Sequence, residues 1–343
     1  MKRLSNLLAF AVCLALAPLP HVHGQSPEEG LENHTIPPDL AQLMQDYAPK
    51  EKALDEELKT QLEPATKAYQ DALATLIQKI EHSSTPEKGD PIRKEVGRFA
   101  SSGLAGAPDE NVPVGVKSAW KTYVTEAQKI TLAFAPKRTA LRAQHLKDLA
   151  EIEKGWVAKN DTIAIAAVRR ARTFTILRTA AEENRVQCTE TNPKPVQVTD
   201  IPHEGGYLIG FAANAGKWWN SQVTEVAEPI FMTPEGVKTG RAFGRNHGNT
   251  KAIAKDGYAV GAITVRGKIP QPNVEVVGCF QLTFMKINPD GLTLDPKDSY
   301  QSDWLGDPGG LKPKEHSGRG KLILGVRAKS GDDTDTLSLL FMK

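Results

Sequence analysis

The sequence predicts an α+β chain, an antiparallel helical hairpin or coiled coil followed by an all-β domain, and three observations lead there. Residues 39 to 185 hold apolar side chains at alternating steps of three and four, the period of a helix with one buried face. Near Asn184 the composition turns over, and glycine and β-forming residues take the lead. Within roughly the last 140 residues one short pattern returns three times. The 343 residues leave room for both parts, and 40% apolar residues suffice for an ordinary core.

Residues 1–24 read as a signal peptide: Lys2 and Arg3, an apolar run from Leu7 to Ala17, then Pro18, Pro20 and small residues before Gln25. The run is too short to span a bilayer, so a secreted or periplasmic protein without membrane insertion is expected. Cys13 lies mid-run, which does not suit a lipid-attachment cysteine. Removing the signal takes Lys2 and Arg3 and no acid, so the formal net charge of +2 falls to zero. A neutral surface argues against nucleic acid or anionic membrane as partner. Two cysteines remain, Cys188 and Cys279, for which one bridge or two buried free thiols are both open. Residues 25–38 form a polar, proline-containing leader, expected to be disordered.

From Asp39, Leu40, Leu43, Met44 and Tyr47 share a face, Leu54, Leu58 and Leu62 extend it through a charged run, and Ala65, Tyr69, Ala72, Leu76 and Ile80 continue it. Pro49 and Pro64 predict helix starts or kinks. Residues 83 to 116 have excess proline, glycine and serine and no period, which predicts a long connecting loop. Trp120, Tyr123, Ala127, Ile130 and Leu132, then Leu141, Leu146, Leu149, Ile152 and Trp156 beyond Pro136, mark a second helical block. Asp161 suits the N-cap of a third helix over 162–181, whose Arg169, Arg170 and Arg172 form either a solvated face or an anion site. Nothing in 39–185 has catalytic spacing. The block resembles the helical spacer found before small β modules in exported bacterial proteins.

Residues 186–202, with Pro193, Pro195 and Pro202, read as an extended linker, and 203–343 as the β domain. Phe280, Leu282 and Phe284 alternate with polar residues, as do Leu337, Leu339 and Phe341, the pattern of half-buried antiparallel strands. Gly206-Tyr-Leu-Ile-Gly210 returns as Gly257-Tyr-Ala-Val-Gly261 and, relaxed, as Lys321-Leu-Ile-Leu-Gly325. Each is followed by a strand closing on Phe-Met: Phe231-Met232, Phe284-Met285 and Phe341-Met342. Three such units predict three sheets about a pseudo-threefold axis, a β-prism, with a β-sandwich as the alternative.

The segment from Ile323 to Leu339 is similar to the C-terminal signature of the jacalin-related lectins: a strand ending apolar-x-Gly, a Ser-Gly, a G-x-x-x-D loop and an apolar last strand. That resemblance implies a jacalin-like β-prism and non-catalytic, lectin-like binding of a glycan or polysaccharide. It assigns to Asp335 the bonds from two sugar hydroxyls, and to the backbone of Gly331, Asp332, Asp333 and Thr334, with Gly205 and Gly206, the surrounding donors. The loop lacks the aromatic that such loops often carry before the aspartate. From the residues alone, the three carboxylates suit a solvated turn, with Ca²⁺ as the lesser alternative. Trp218 and Trp219 offer stacking on a sugar or volume for the core. Asp295, Asp298, Asp303 and Asp307 around Tyr300 and Trp304 form a second binding face or ordinary turns. The histidines have no metal-ligand spacing, and there is no G-x-S-x-G, P-loop or Cys/His pair, so no enzyme, metal or cofactor is expected. The competing reading is a structural or protein-interaction protein that self-associates through its helical segment.

Overall fold

The computed structural model describes residues 36–81, 89–102, 108, 112–190, 197–272, 274–330 and 333–343. The expected signal peptide and most of the leader lie outside these. Four helices come first: α1 (Pro38–Glu81), α2 (Asp90–Ser102), α3 (Val114–Ala158) and α4 (Thr162–Glu190). α1 and α3 are antiparallel. At one end the Trp156 indole donates to Asp39 at 3.0 Å, and at the other Leu76 packs over Gly115. Asp161 caps α4 as expected, its Oδ1 accepting from the Ala164 N–H at 3.0 Å. α1 runs unbroken through Pro49 and Pro64, and α3 through Pro136. All three prolines face solvent, where water can take the carbonyl that each leaves unbonded.

The loop expected over 83–116 contains α2. Pro91 suits a first helical turn, and Ile92, Glu95 and Phe99 share one face at helical spacing. Ile92 and Phe99 bury against Tyr69, Leu73, Val116 and Tyr123, with Tyr69 and Phe99 rings 4.8 Å apart. The buried Glu95 accepts from the Tyr69 hydroxyl at 2.8 Å and from Arg98 at 2.6 Å. Burial of each large side chain contributes about 1.5–3 kcal/mol.

Nearer the other end, Arg142 of α3, 3% exposed, donates to Glu51 of α1 at 3.0 Å and to Glu182 of α4 at 2.7 and 2.8 Å. Arg178 of α4 also bonds Glu51. Burial disfavours the charge on Arg142, but its bonds to Glu182 and Glu51 outweigh this and hold its pKa above the ordinary value. Three helices are thereby joined through one buried guanidinium.

Among the described residues thirteen strands follow: β1 (Gln197–Asp200), β2 (Tyr207–Trp218), β3 (Ser221–Thr233), β4 (Gly236–Thr239), β5 (Phe243–Gly244), β6 (Thr250–Ile253), β7 (Tyr258–Gln271), β8 (Val274–Ile287), β9 (Leu294–Gln301), β10 (Leu305–Gly306), β11 (Lys314–Ser317), β12 (Ile323–Ser330) and β13 (Thr334–Phe341). They form three antiparallel sheets, in the orders β4-β3-β2-β6 with β5 on β3, β10-β8-β7-β11 with β9 on β8, and β1-β12-β13. One core draws on all three: Leu208, Phe211 and Phe231 from the first, Ile263, Phe280 and Phe284 from the second, Val326, Leu337 and Leu339 from the third. Three sheets around a shared core make the β domain a β-prism, and the chain as a whole is α+β.

The sequence repeat is the central hairpin of each sheet. Leu208 pairs with Phe231, Val260 with Phe284 and Ile323 with Phe341, and the register slips once just inside each opening. The segment 186–202 is not simply a linker. α4 continues to Glu190, and Gln197–Asp200 pair with β12, because the extended backbone favoured around prolines can satisfy a sheet edge. α4 is also more than a spacer: its Phe174 and Leu177 pack with Tyr207, Met232, Ala259, Met285, Leu322 and Met342, the opening and closing residues of the three hairpins. One end of the prism is thus closed by a helix, and the three hairpin turns lie at the far end.

Candidate functional site

The far end is built from hairpins of unequal length. β2 and β7 run 12 and 14 residues, β12 only 8. Counted from the equivalent positions Leu208 and Ile323, β2 runs three residues further than β12, so at about 3.3 Å per residue the turn after β12 sits roughly 10 Å lower than the turn after β2. That lower turn carries the G-x-x-x-D loop, of which Gly331 and Asp332 lie outside the described residues. Thr334 is fully buried, and its Oγ1 donates to the Phe243 carbonyl of β5 at 2.8 Å, pinning the loop to the edge of the neighbouring sheet. Asp333 and Asp335 flank that pin and are partly exposed. The Asp335 carboxylate lies 3.6 Å from Lys329 Nζ, and the Lys329 N–H donates to the Thr336 hydroxyl at 3.1 Å. A carboxylate that accepts and an ammonium that donates, side by side, can hold the hydroxyls of a polar ligand.

Gly205 and Gly206 are not part of this arrangement. β1 runs antiparallel to β12, Gln197 opposite Lys329 and Asp200 opposite Val326, so the chain leaves the loop and reaches the glycines at the α4 end. Gly205, at φ +79°, lies where a Cβ would stand 2.6 Å from the Arg178 backbone nitrogen, and a Cβ on Gly206 would meet the Met232 carbonyl at 2.7 Å. Their lack of a side chain serves close packing, of Gly205 on the helix and of Gly206 on β3.

The tryptophans occupy the β2–β3 turn. Trp218 is half-buried and pairs with Ser221, while Trp219 is 73% exposed at φ +55°. Trp219 therefore gives the core no volume. Cys279 is a buried free thiol on β8, its pKa pushed up to about 11 chiefly by burial, and the Cys188 side chain lies outside the described residues. Of the four aspartates around Tyr300 and Trp304, Asp295 and Asp298 lie on β9, and carboxylates of this group are tied to their own domain: Asp298 accepts from the Tyr258 hydroxyl at 2.5 Å and Asp307 from Lys268 at 2.7 Å. Arg169 and Arg172 pair with Glu153 of α3, and Arg170 lies over the Phe174 ring. Among the described residues, no group of three or more His, Cys, Asp or Glu side chains is placed to hold a metal ion. No described helix is long and apolar enough to cross a membrane.

Sequence reasoning missed the partners of the loop, Phe243 and Lys329. Lys329 faces Thr336 only through the hairpin register, and Phe243 lies 91 residues from Thr334, a separation that no local pattern signals.

Neither a family model nor a curated protein sequence matches the chain. Among solved structures it is similar to artocarpin in complex with mannotriose, with a TM-score of 0.32 and 13% identity over 43% of this chain and 91% of that one. It is also similar to a mannose-specific jacalin-related lectin from Morus nigra in complex with mannose, with a TM-score of 0.30 and 13% identity over 45% of this chain and 99% of that one. A third is Malaysian banana lectin, with a TM-score of 0.29 and 14% identity over 40% of this chain and 83% of that one. These likenesses concern fold, and the β-prism itself rests on the three sheets and their shared core.

Proposed function

We propose that the chain is an exported, non-catalytic carbohydrate-binding protein that meets a glycan at the far end of its prism, through the loop 331–335. The observation that carries this reading is the anchored start of β13: Thr334, buried and bonded to Phe243, stands next to Asp335, whose carboxylate lies 3.6 Å from Lys329. A ligand edged with hydroxyls needs such fixed acceptors and donors, because ordering them on binding would cost affinity. The donor ring differs from the one expected, since Gly205 and Gly206 lie against α4 and β3 and cannot supply N–H groups to the loop. Lys329 takes part of that role.

The test is retention of the full chain on an array of immobilised oligosaccharides, wild type against Asp335→Ala. Loss of retention in the variant supports the loop as the site. Equal retention by both removes the loop, and no retention by either defeats the carbohydrate reading.

A further inference from the structure

We infer that Trp219 is a second contact for the same class of ligand, a stacking platform for one sugar ring at the tip of the β2–β3 hairpin; this rests on the carbohydrate reading above. The turn between Trp218 and Ser221 has only two residues, and Trp219 takes its first position at φ +55°. Left-handed backbone is the preserve of glycine and, less often, asparagine; for a bulky aromatic it is an outlier. Asn220 stands next to it, so the same turn could have carried a small residue at the strained position. Instead the strain is borne by the largest side chain there is, and that side chain is 73% exposed. Among the described residues no aromatic ring or cation lies against it. Strain with no packing return points to a use outside the fold.

The hairpin beneath the indole is braced near its turn. Three residues below the turn, the Thr224 hydroxyl donates to the Gly278 carbonyl of β8 at 3.2 Å, bracing the first long hairpin against the second. A rigid aromatic on a braced turn loses little freedom on binding.

Size decides the kind of partner. An indole buries roughly 150–250 Å², about what the flat apolar face of one pyranose covers, whereas a stable protein interface takes about 800 Å² from each side. Among the described residues, Ile269 at 54% exposure is the other large apolar side chain exposed near these turns, and the two together still fall well short. Lys217, Asn220 and Gln222, the exposed polar residues of the same turn, can bond ring hydroxyls. The tip stands roughly 10 Å above the turn after β12 by the strand count above, so a chain of several sugars, not a single one, would reach both.

The experiment compares wild type, Trp219→Gly, Trp219→Phe and Asp335→Ala, all as full chains, on the oligosaccharide array, with vesicles of phosphatidylcholine and phosphatidylglycerol as a second probe. Glycine accepts φ +55° without strain, so Trp219→Gly should fold and melt at or above the wild-type temperature. The expected result is a loss of affinity of roughly three- to ten-fold for the longer oligosaccharides in Trp219→Gly, with most of it kept in Trp219→Phe. Unchanged glycan retention in Trp219→Gly while Asp335→Ala loses it overturns the platform and leaves the loop standing. Loss in Trp219→Gly with none in Asp335→Ala keeps the platform and removes the loop. Vesicle binding that Trp219→Gly abolishes, with glycan retention unchanged, assigns the indole to a lipid surface and overturns the sugar contact. No retention of any glycan by the wild type overturns both.

Discussion

Replacing Gly205 by alanine should destabilise the protein more than the same replacement at Gly257, and the difference measures how closely α4 is seated on the prism. Both glycines have nearly the same backbone, φ +79° and +77°, so each alanine pays the same left-handed strain, about 1–2 kcal/mol. At Gly257 nothing lies within 4 Å of the new Cβ, and the cost ends there. At Gly205 the methyl would stand 2.6 Å from the Arg178 nitrogen and 2.8 Å from its Cα, backbone atoms of a helix that cannot swing aside. Overpacking of that kind adds about 1–3 kcal/mol. With roughly 2–4 °C per kcal/mol for a domain of 150–250 residues, Gly205→Ala should melt about 4–8 °C below Gly257→Ala in calorimetry, taking the middle of that range. Equal melting temperatures would refute the close seating of α4 and return Gly205 to the list of residues free for a ligand.

Other consequences follow from the helical part and the loop. His145 is buried and stacks on Tyr47 at 3.8 Å, with Arg142 and Asp148 near it on its own helix; burial lowers its pKa from 6.5, opposed by Asp148. The unfolded chain therefore takes up the proton first. Stability should be full above about pH 6.5 and fall as pH drops from there toward the folded pKa, by at most about 1.4 kcal/mol per pH unit. His145→Phe keeps the stack and should flatten that part of a melting-temperature profile between pH 7.5 and 5. Arg142→Ala leaves Glu51 and Glu182 without their shared partner and should cost about 3–5 kcal/mol in denaturant titration; a cost below 1 kcal/mol would contradict the network as drawn. Thr334→Val removes the bond to Phe243 and strands a buried carbonyl, a loss of about 1–3 kcal/mol, and it should weaken glycan retention by loosening the loop.

Much of the fold was legible because its repeats are written in short local patterns. The three Gly-flanked openings and the three Phe-Met closings mark the three hairpins, and apolar alternation placed the core faces of Phe280, Leu282 and Phe284. α2 escaped notice because 13 helical residues are flanked by proline, glycine and serine, which dilute any window long enough to show a period. β1 was hidden because its β-branched residues, Val198 and Thr199, make a run of only four between Pro195 and Pro202, and pairing with β12 is what makes that run a strand. The site was less readable than the fold. Gly205 looked like a glycine for ligand approach, yet a glycine records only that something comes close, and here that neighbour is the backbone of α4. Trp219 could be read as core or surface until the hairpin register put it in a two-residue turn. Asp335 stands at the start of β13, and its neighbour Lys329 and the nearby anchor Phe243 depend on tertiary pairing.

The central claim is that the prism is closed by α4 at one end and meets its ligand at the other. Hydrogen exchange followed by mass spectrometry, on the full chain with and without the oligosaccharide best retained on the array, tests it most directly. Binding at the far end predicts added protection in the segment 329–336 and at the 217–222 turn, with exchange around 203–208 unchanged. Protection confined to 203–208 and the neighbouring face of α4 would contradict it.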